Sequence, residues 1–205
     1  MQTITKTSTA EFRTKGSKFI GFLNPAATSE DINSVLTEIR SEHPTATHHC
    51  YAYRINPNKP EEFSQDDGEP GGTAGMPILN EMKSADIMNA IVVIVRYYGG
   101  TKLGKPGLIE AYGQTTRLCI EKSSLKKLTP IILYKIEYNY QHQGIIDQVK
   151  NDVTWFEKKS TYLEHVTLTC GFPINEKSIA ENRLRALEHL FINFEKLGNS
   201  YHIGK

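Results

Sequence analysis

The sequence predicts a two-domain α/β (α+β) protein, and three observations carry that expectation. Residues 91–95 form an unbroken β-branched, apolar run, which reads as a strand covered on both faces at the centre of a sheet. Ile132, Tyr134, Ile136, Tyr138 and Tyr140 alternate with Leu133, Lys135, Glu137 and Asn139, the period-2 pattern of a half-buried strand. Between these patterns, residues 123–130 are polar and carry helix breakers and charges, so the expected division is 1–130 and 131–205.

An extended start over residues 12–23 leads the chain. Thr28 and Ser29 then offer N-caps to an amphipathic helix of Ile32, Val35, Leu36 and Ile39, which ends before Pro44. Residues 48–55 are short and aromatic, hence a strand, and 56–65 read as a polar loop. After the central strand and a glycine turn, Leu108, Ala111, Tyr112, Thr115, Leu118 and Cys119 line one face of a helix, with Pro106 placed as its first residue. The second half reads as a strand, a helix with Ile145, Ile146 and Val149, and a strand near 154–158. An alternating strand through Val166, Leu168 and Cys170, a helix over Ala180, Leu184, Leu187 and Phe191, and a short strand at 200–203 complete it. That βαββαβ order is the split ferredoxin-like arrangement, with both helices on one sheet face.

Composition narrows the function classes. The chain has 205 residues, and its 24 Lys+Arg nearly balance 23 Asp+Glu, which argues against an obligate nucleic-acid binder with a broad basic surface. Any phosphate contact must therefore be local. Cys50, Cys119 and Cys170 form no CxxC pair, so neither a disulfide framework nor a cysteine metal site is indicated, and a reducing cytoplasm fits best. No stretch approaches the roughly 20 apolar residues that cross a bilayer, and residues 1–18 lack an apolar core, so no membrane partner and no export are expected.

Two glycine-rich segments hold the candidate chemistry. Residues 66–77 pack four glycines and three carboxylates (Asp66, Asp67, Glu69) into a dozen positions. Such density implies positive φ angles or close backbone approach. With Thr73 as cap of a following helix, the N–H groups from Gly72 to Gly75 would form a small anion site. The carboxylates conflict with phosphate there, which points to a hydroxyl-rich or metal-bridged ligand, or to structural capping. Residues 96–107 imitate a nucleotide loop, with Gly99, Gly104 and Lys105 in register, but Pro106 supplies neither the magnesium hydroxyl nor an N–H. No nucleotide and no other cofactor is therefore expected. What survives is a turn of Tyr98, Gly99 and Gly100 carrying Arg96, Lys102 and Lys105 beside a helix N-terminus, a setting that favours an anion.

His48 and His49 invite a metal reading, yet adjacent strand residues point to opposite faces, so only one can serve a given site. A hydrolase reading would use His49 with Asp67 and Glu69 to hold a cation, although no H-E-x-x-H spacing accompanies them. Tyr51, Tyr53, Tyr97, Tyr98 and Tyr112 could stack bases, but their spacing fits core or rim positions better.

The motifs AspAspGlyGluPro (66–70), GlyThrAlaGly (72–75), ArgTyrTyrGlyGly (96–100), LeuGly (103–104) and GlyLeu (107–108), with the ThrHisHisCysTyrAlaTyr strand, resemble the IMPACT/YigZ family over residues 12–123. The remaining third resembles the smaller second domain of bacterial members. That resemblance implies a first domain of the left-handed βαβ class shared with ribosomal, RNA-processing and GHMP proteins. It implies a second domain like those of elongation factor G. Eukaryotic members, which carry an additional N-terminal interaction domain, regulate translation during amino-acid starvation by competing for the activator of an initiation-factor kinase. The function this implies is a cytosolic translation-associated factor that binds RNA, the ribosome or a translation-associated protein through a glycine-rich cleft.

Overall fold

The computed structural model describes residues 1–204, which divide into two compact units, 1–127 and 128–204. In the first unit β1 (Gln2–Thr3) precedes a hairpin of β2 (Ser8–Thr14) and β3 (Ser17–Pro25). Lys15 and Gly16 turn it, both at positive φ, so the expected single extended start is in fact two strands. Helix α1 (Ser29–Glu42) begins on a capping box. The Thr28 hydroxyl accepts from the Asp31 N–H and the Asp31 carboxylate accepts from the Thr28 N–H. Strand β4 (His48–Ile55) matches its expected span, but the loop expected at 56–65 closes into an edge strand, β5 (Glu61–Gln65). Aromatic pairing across the strands explains this, since Phe63 packs against Tyr51 and stacks on Tyr53.

Helix α2 (Gly75–Ser84), the central strand β6 (Ala90–Tyr97) and α3 (Gly104–Lys122) complete the unit. The sheet order is β2-β3-β6-β4-β5 with every neighbouring pair antiparallel, so the apolar run lies in the middle as expected. Its residues alternate between two cores. Val92 and Ile94 pack with Ile78 and Met82 of α2 and Ala111, Tyr112 and Cys119 of α3. Ile91, Val93 and Val95 pack with Ile32, Leu36 and Ile39 of α1 on the other face. Helix α3 starts two residues before Pro106, which sits within its first turn, where a missing N–H costs no helical hydrogen bond.

The polar segment 123–130 is not a free linker. Strand β7 (Lys126–Tyr138) begins inside it, pairs through Lys126 and Lys127 with β1, and continues into the second unit. There α4 (Gln143–Asp152), β8 (Phe156–Tyr162), β9 (Val166–Pro173), α5 (Lys177–Ala186) and β10 (Phe191–Ile203) follow. The antiparallel order β10-β7-β9-β8 is the ferredoxin-like one, and α4 and α5 both contribute to the core under Ile132, Tyr134, Ile136 and Tyr138. The last strand is far longer than the expected 200–203, and Phe191 opens it instead of closing α5. Long-range pairing with β7 decides this, because residues 191–199 show no strict alternation of their own. Among the described residues no helix is long and apolar enough to cross a membrane.

Candidate functional site: a basic cleft on the first unit

Phe19, Arg96 and His48 lie side by side across β3, β6 and β4, on the face that α2 and α3 cover. At this end of the sheet a cleft of about 550 Å³ opens, lined by His48, Glu69, Pro70, Arg96, Tyr98, Lys102, Leu103, Gly104, Lys105 and Leu108. Its volume falls within the range of small-molecule sites. Both glycine-rich segments reach it, but most of their residues do structural work beside it.

The three carboxylates of the first segment each have a fixed partner. Asp66 accepts from the backbone N–H groups of Gly72, Ala74 and Gly75, at 2.7, 2.9 and 2.8 Å. Burial opposes the Asp66 charge, yet those three donors outweigh it and hold the carboxyl below its ordinary range. Asp66 thus caps α2, while the Thr73 hydroxyl donates to the Pro70 carbonyl, so Thr73 is not the expected cap. Of the N–H groups expected to make an anion site, those of Gly72, Ala74 and Gly75 are occupied by this carboxylate, and that of Thr73 donates to the Pro70 carbonyl. Asp67 clamps β4: its carboxylate accepts from the His49 N–H, and its carbonyl lies 2.7 Å from His48 Nδ1.

Glu69 is buried, and its Oε1 accepts from Arg96 Nη1 and, at 2.8 Å, from the Tyr112 hydroxyl. The Cys50 thiol lies 3.2 Å from that hydroxyl, and burial raises the pKa of both groups far above the ordinary range. Arg96 also donates to Ser17 Oγ at 3.3 Å, and its guanidinium is held between the rings of Phe19 and Tyr98, at 5.4 and 5.5 Å from their centroids. Arg96 was expected as an available cation, but it is only 4% exposed and neutralised by Glu69. Sequence reading missed Ser17 and placed Tyr112 only as a core or rim residue, because they join this network from 79 and 43 positions away from their partners.

The pleat sends His48 and His49 to opposite faces of β4, as strand parity requires. His49 faces α1, where its Nε2 lies 3.2 Å from the carbonyl of His43, the residue that ends that helix. Burial lowers its pKa, with Asp67 only partly offsetting the effect. Glu69 lies on the opposite face beside His48, so His49, Asp67 and Glu69 do not converge. Among the described residues no three His, Cys, Asp or Glu side chains are grouped to hold a metal ion. The histidine that does line the cleft is His48. Its parity with Cys50 and Ala52 on β4 was legible, but not which face carries the cleft.

The second segment supplies the accessible groups. Tyr98 is 47% exposed and rests on the buried Arg96. Lys102 and Lys105 are exposed and have no ion-pair partner among the described residues. Lys105 stands in the first turn of α3, which holds no acidic residue and no side-chain cap, a position where the helix dipole disfavours a cation. Gly99 does not line the cleft. Its backbone touches that of Gly16, where an added Cβ would lie 1.9 Å from a carbonyl carbon. Gly100 is not among the lining residues and has open space around it, while Gly72 and Thr73 lie just before α2 and Gly75 opens it.

Fold and site together define a two-domain α/β protein whose first domain carries a small cleft with two unpaired lysines and a supported aromatic ring. The sequence pattern of the Impact N-terminal domain matches residues 15–120. The chain is 36% identical over 163 residues to the IMPACT family member YigZ of Escherichia coli, an alignment covering 78% of this chain and 79% of that one. It is 32% identical over 150 residues to YvyE of Bacillus subtilis, covering 73% and 69%. A crystal structure of a hypothetical protein aligns over 96% of both chains at 27% identity, with a TM-score of 0.66. The chain belongs to the IMPACT family.

Proposed function

We propose that the protein is a cytosolic, translation-associated regulatory factor that binds single-stranded RNA, free or on the ribosome, in this cleft. Family membership supports the translation role, which the eukaryotic relatives suggest. The observation that carries the binding role is the pairing of two uncompensated cations, Lys102 and Lys105, with an exposed Tyr98 ring in one cleft. Cations engage phosphates and an aromatic face stacks a base, which is how single strands are held without a broad basic surface. The cleft's one carboxylate, Glu69, is already neutralised and does not repel the ligand.

Filter binding of single-stranded and structured RNA across a salt series tests this, with bacterial ribosomes as a parallel bait. Two phosphate contacts give a slope of log affinity against log salt of about −1.4 to −1.8. Lys102→Gln with Lys105→Gln should flatten that slope and leave the melting temperature unchanged, because exposed charges contribute little to stability. Absence of both RNA and ribosome binding at low salt sinks the reading.

A further inference from the structure

His48 presents the cleft with a ring acceptor that no donor among the described residues satisfies. Its Nδ1 lies 2.7 Å from the Asp67 carbonyl oxygen, which can only accept, so Nδ1 carries the ring proton. The contact is built in. Asp67 and Gly68 both take positive φ, and a Cβ on Gly68 would stand 3.4 Å from Nδ1. In the uncharged ring Nε2 is then an acceptor. Its charged neighbour, Glu69 Oε1 at 3.9 Å, is itself an acceptor and already receives N–H and O–H donors from Arg96 and Tyr112. Among the described residues no donor reaches His48 Nε2.

An acceptor in a cleft calls for a ligand donor, and the setting limits which kind. Lys102 and Lys105 line the same cleft and repel an ammonium donor, so the donor belongs to a neutral group on a ligand that also carries negative charge. A hydroxyl close to a phosphate meets both conditions. In a single nucleic-acid strand the sugar that offers one at every residue is ribose, and the 2′-hydroxyl is what separates RNA from DNA at a given site. We infer that His48 makes the cleft selective for ribonucleotides, with Nε2 accepting a hydrogen bond from a ribose 2′-hydroxyl. The inference rests on the RNA reading above and deepens it.

Three single strands of one sequence test it on the full chain at pH 8: RNA, DNA, and 2′-O-methyl RNA, which removes the donor but keeps the RNA backbone. The expected result is RNA bound about tenfold more tightly than either of the others, the equivalent of about 1.4 kcal/mol. His48→Asn keeps a donor for the Asp67 carbonyl and removes the Nε2 acceptor. It should lower RNA affinity to the DNA value while leaving DNA affinity and the melting temperature as they were, which separates lost recognition from lost folding. Equal binding of all three strands overturns the inference with RNA binding intact. An RNA preference that survives His48→Asn overturns the role of His48. Binding to none of the strands fails the RNA reading and this inference with it.

Discussion

At the residue scale, the Glu69–Arg96 pair dominates. Both side chains are nearly inaccessible, so removing one partner leaves the other buried and uncompensated. Arg96→Gln is therefore expected to destabilise the protein by about 3–5 kcal/mol, read by urea denaturation, and not to act as a mild change of surface charge. A loss below about 1 kcal/mol, the scale of an exposed pair, contradicts this. The cysteines give a second test at this scale. Burial pushes the Cys119 thiol up to about 12 and moves Cys50 and Cys170 upward as well. Thiolate is the reactive form, so all three should resist a thiol reagent such as Ellman's in the native state and react together on unfolding. Rapid release of even one equivalent from folded protein overturns that expectation.

At the element scale, the glycines fall into two groups that composition cannot separate. Gly75 lets the start of α2 approach β5, since a Cβ there would lie 2.6 Å from the Gln65 nitrogen, and Gly99 lets the β2–β3 turn seat against the end of β6. Gly71 has nothing within 4 Å of an added Cβ and no positive φ. Alanine at 75 or 99 should thus cost about 1–3 kcal/mol as overpacking against backbone, while Gly71→Ala should be near neutral, a contrast that thermal melts resolve. The cap on α2 has a pH signature. The folded-state pKa of Asp66 is depressed, so its contribution is fully present above the unfolded carboxylate range near pH 4 and is lost as the pH falls through the folded value. Asp66→Ala should cost about 0.5–2 kcal/mol at neutral pH, and the difference from the parent should shrink below pH 4.

At the scale of the whole molecule, the junction between the two units is a strand. Lys126 and Lys127 pair with β1, and the strand continues with Leu128 pairing to Ile203. Backbone held in a ladder on both sides of a junction resists the extended, unpaired conformation that a protease needs. Limited trypsin digestion should therefore spare this doubly basic site while cutting exposed loops first. Early cleavage between 126 and 128 sinks that expectation.

The amino-acid sequence by itself determined the elements whose partners lie nearby or whose pattern is strong. Among these are the capped α1, the central β6 with its two-sided apolar run, the alternating β7, and the βαββαβ order of the second unit. It also determined that chemistry gathers in residues 66–77 and 96–107, since clustered glycines and charges are local facts. Tertiary structure alone decided which of those groups are available. Asp66, Asp67, Glu69 and Arg96 look like ligands in one dimension, but folding brings each a partner; Arg96 meets its own from 27 and 79 positions away. It also chose His48 over His49 and made strands of 61–65 and 191–199. The reason is physical: periodicity reports how a residue faces its own element, whereas charge compensation and sheet edges depend on which distant backbone arrives beside it.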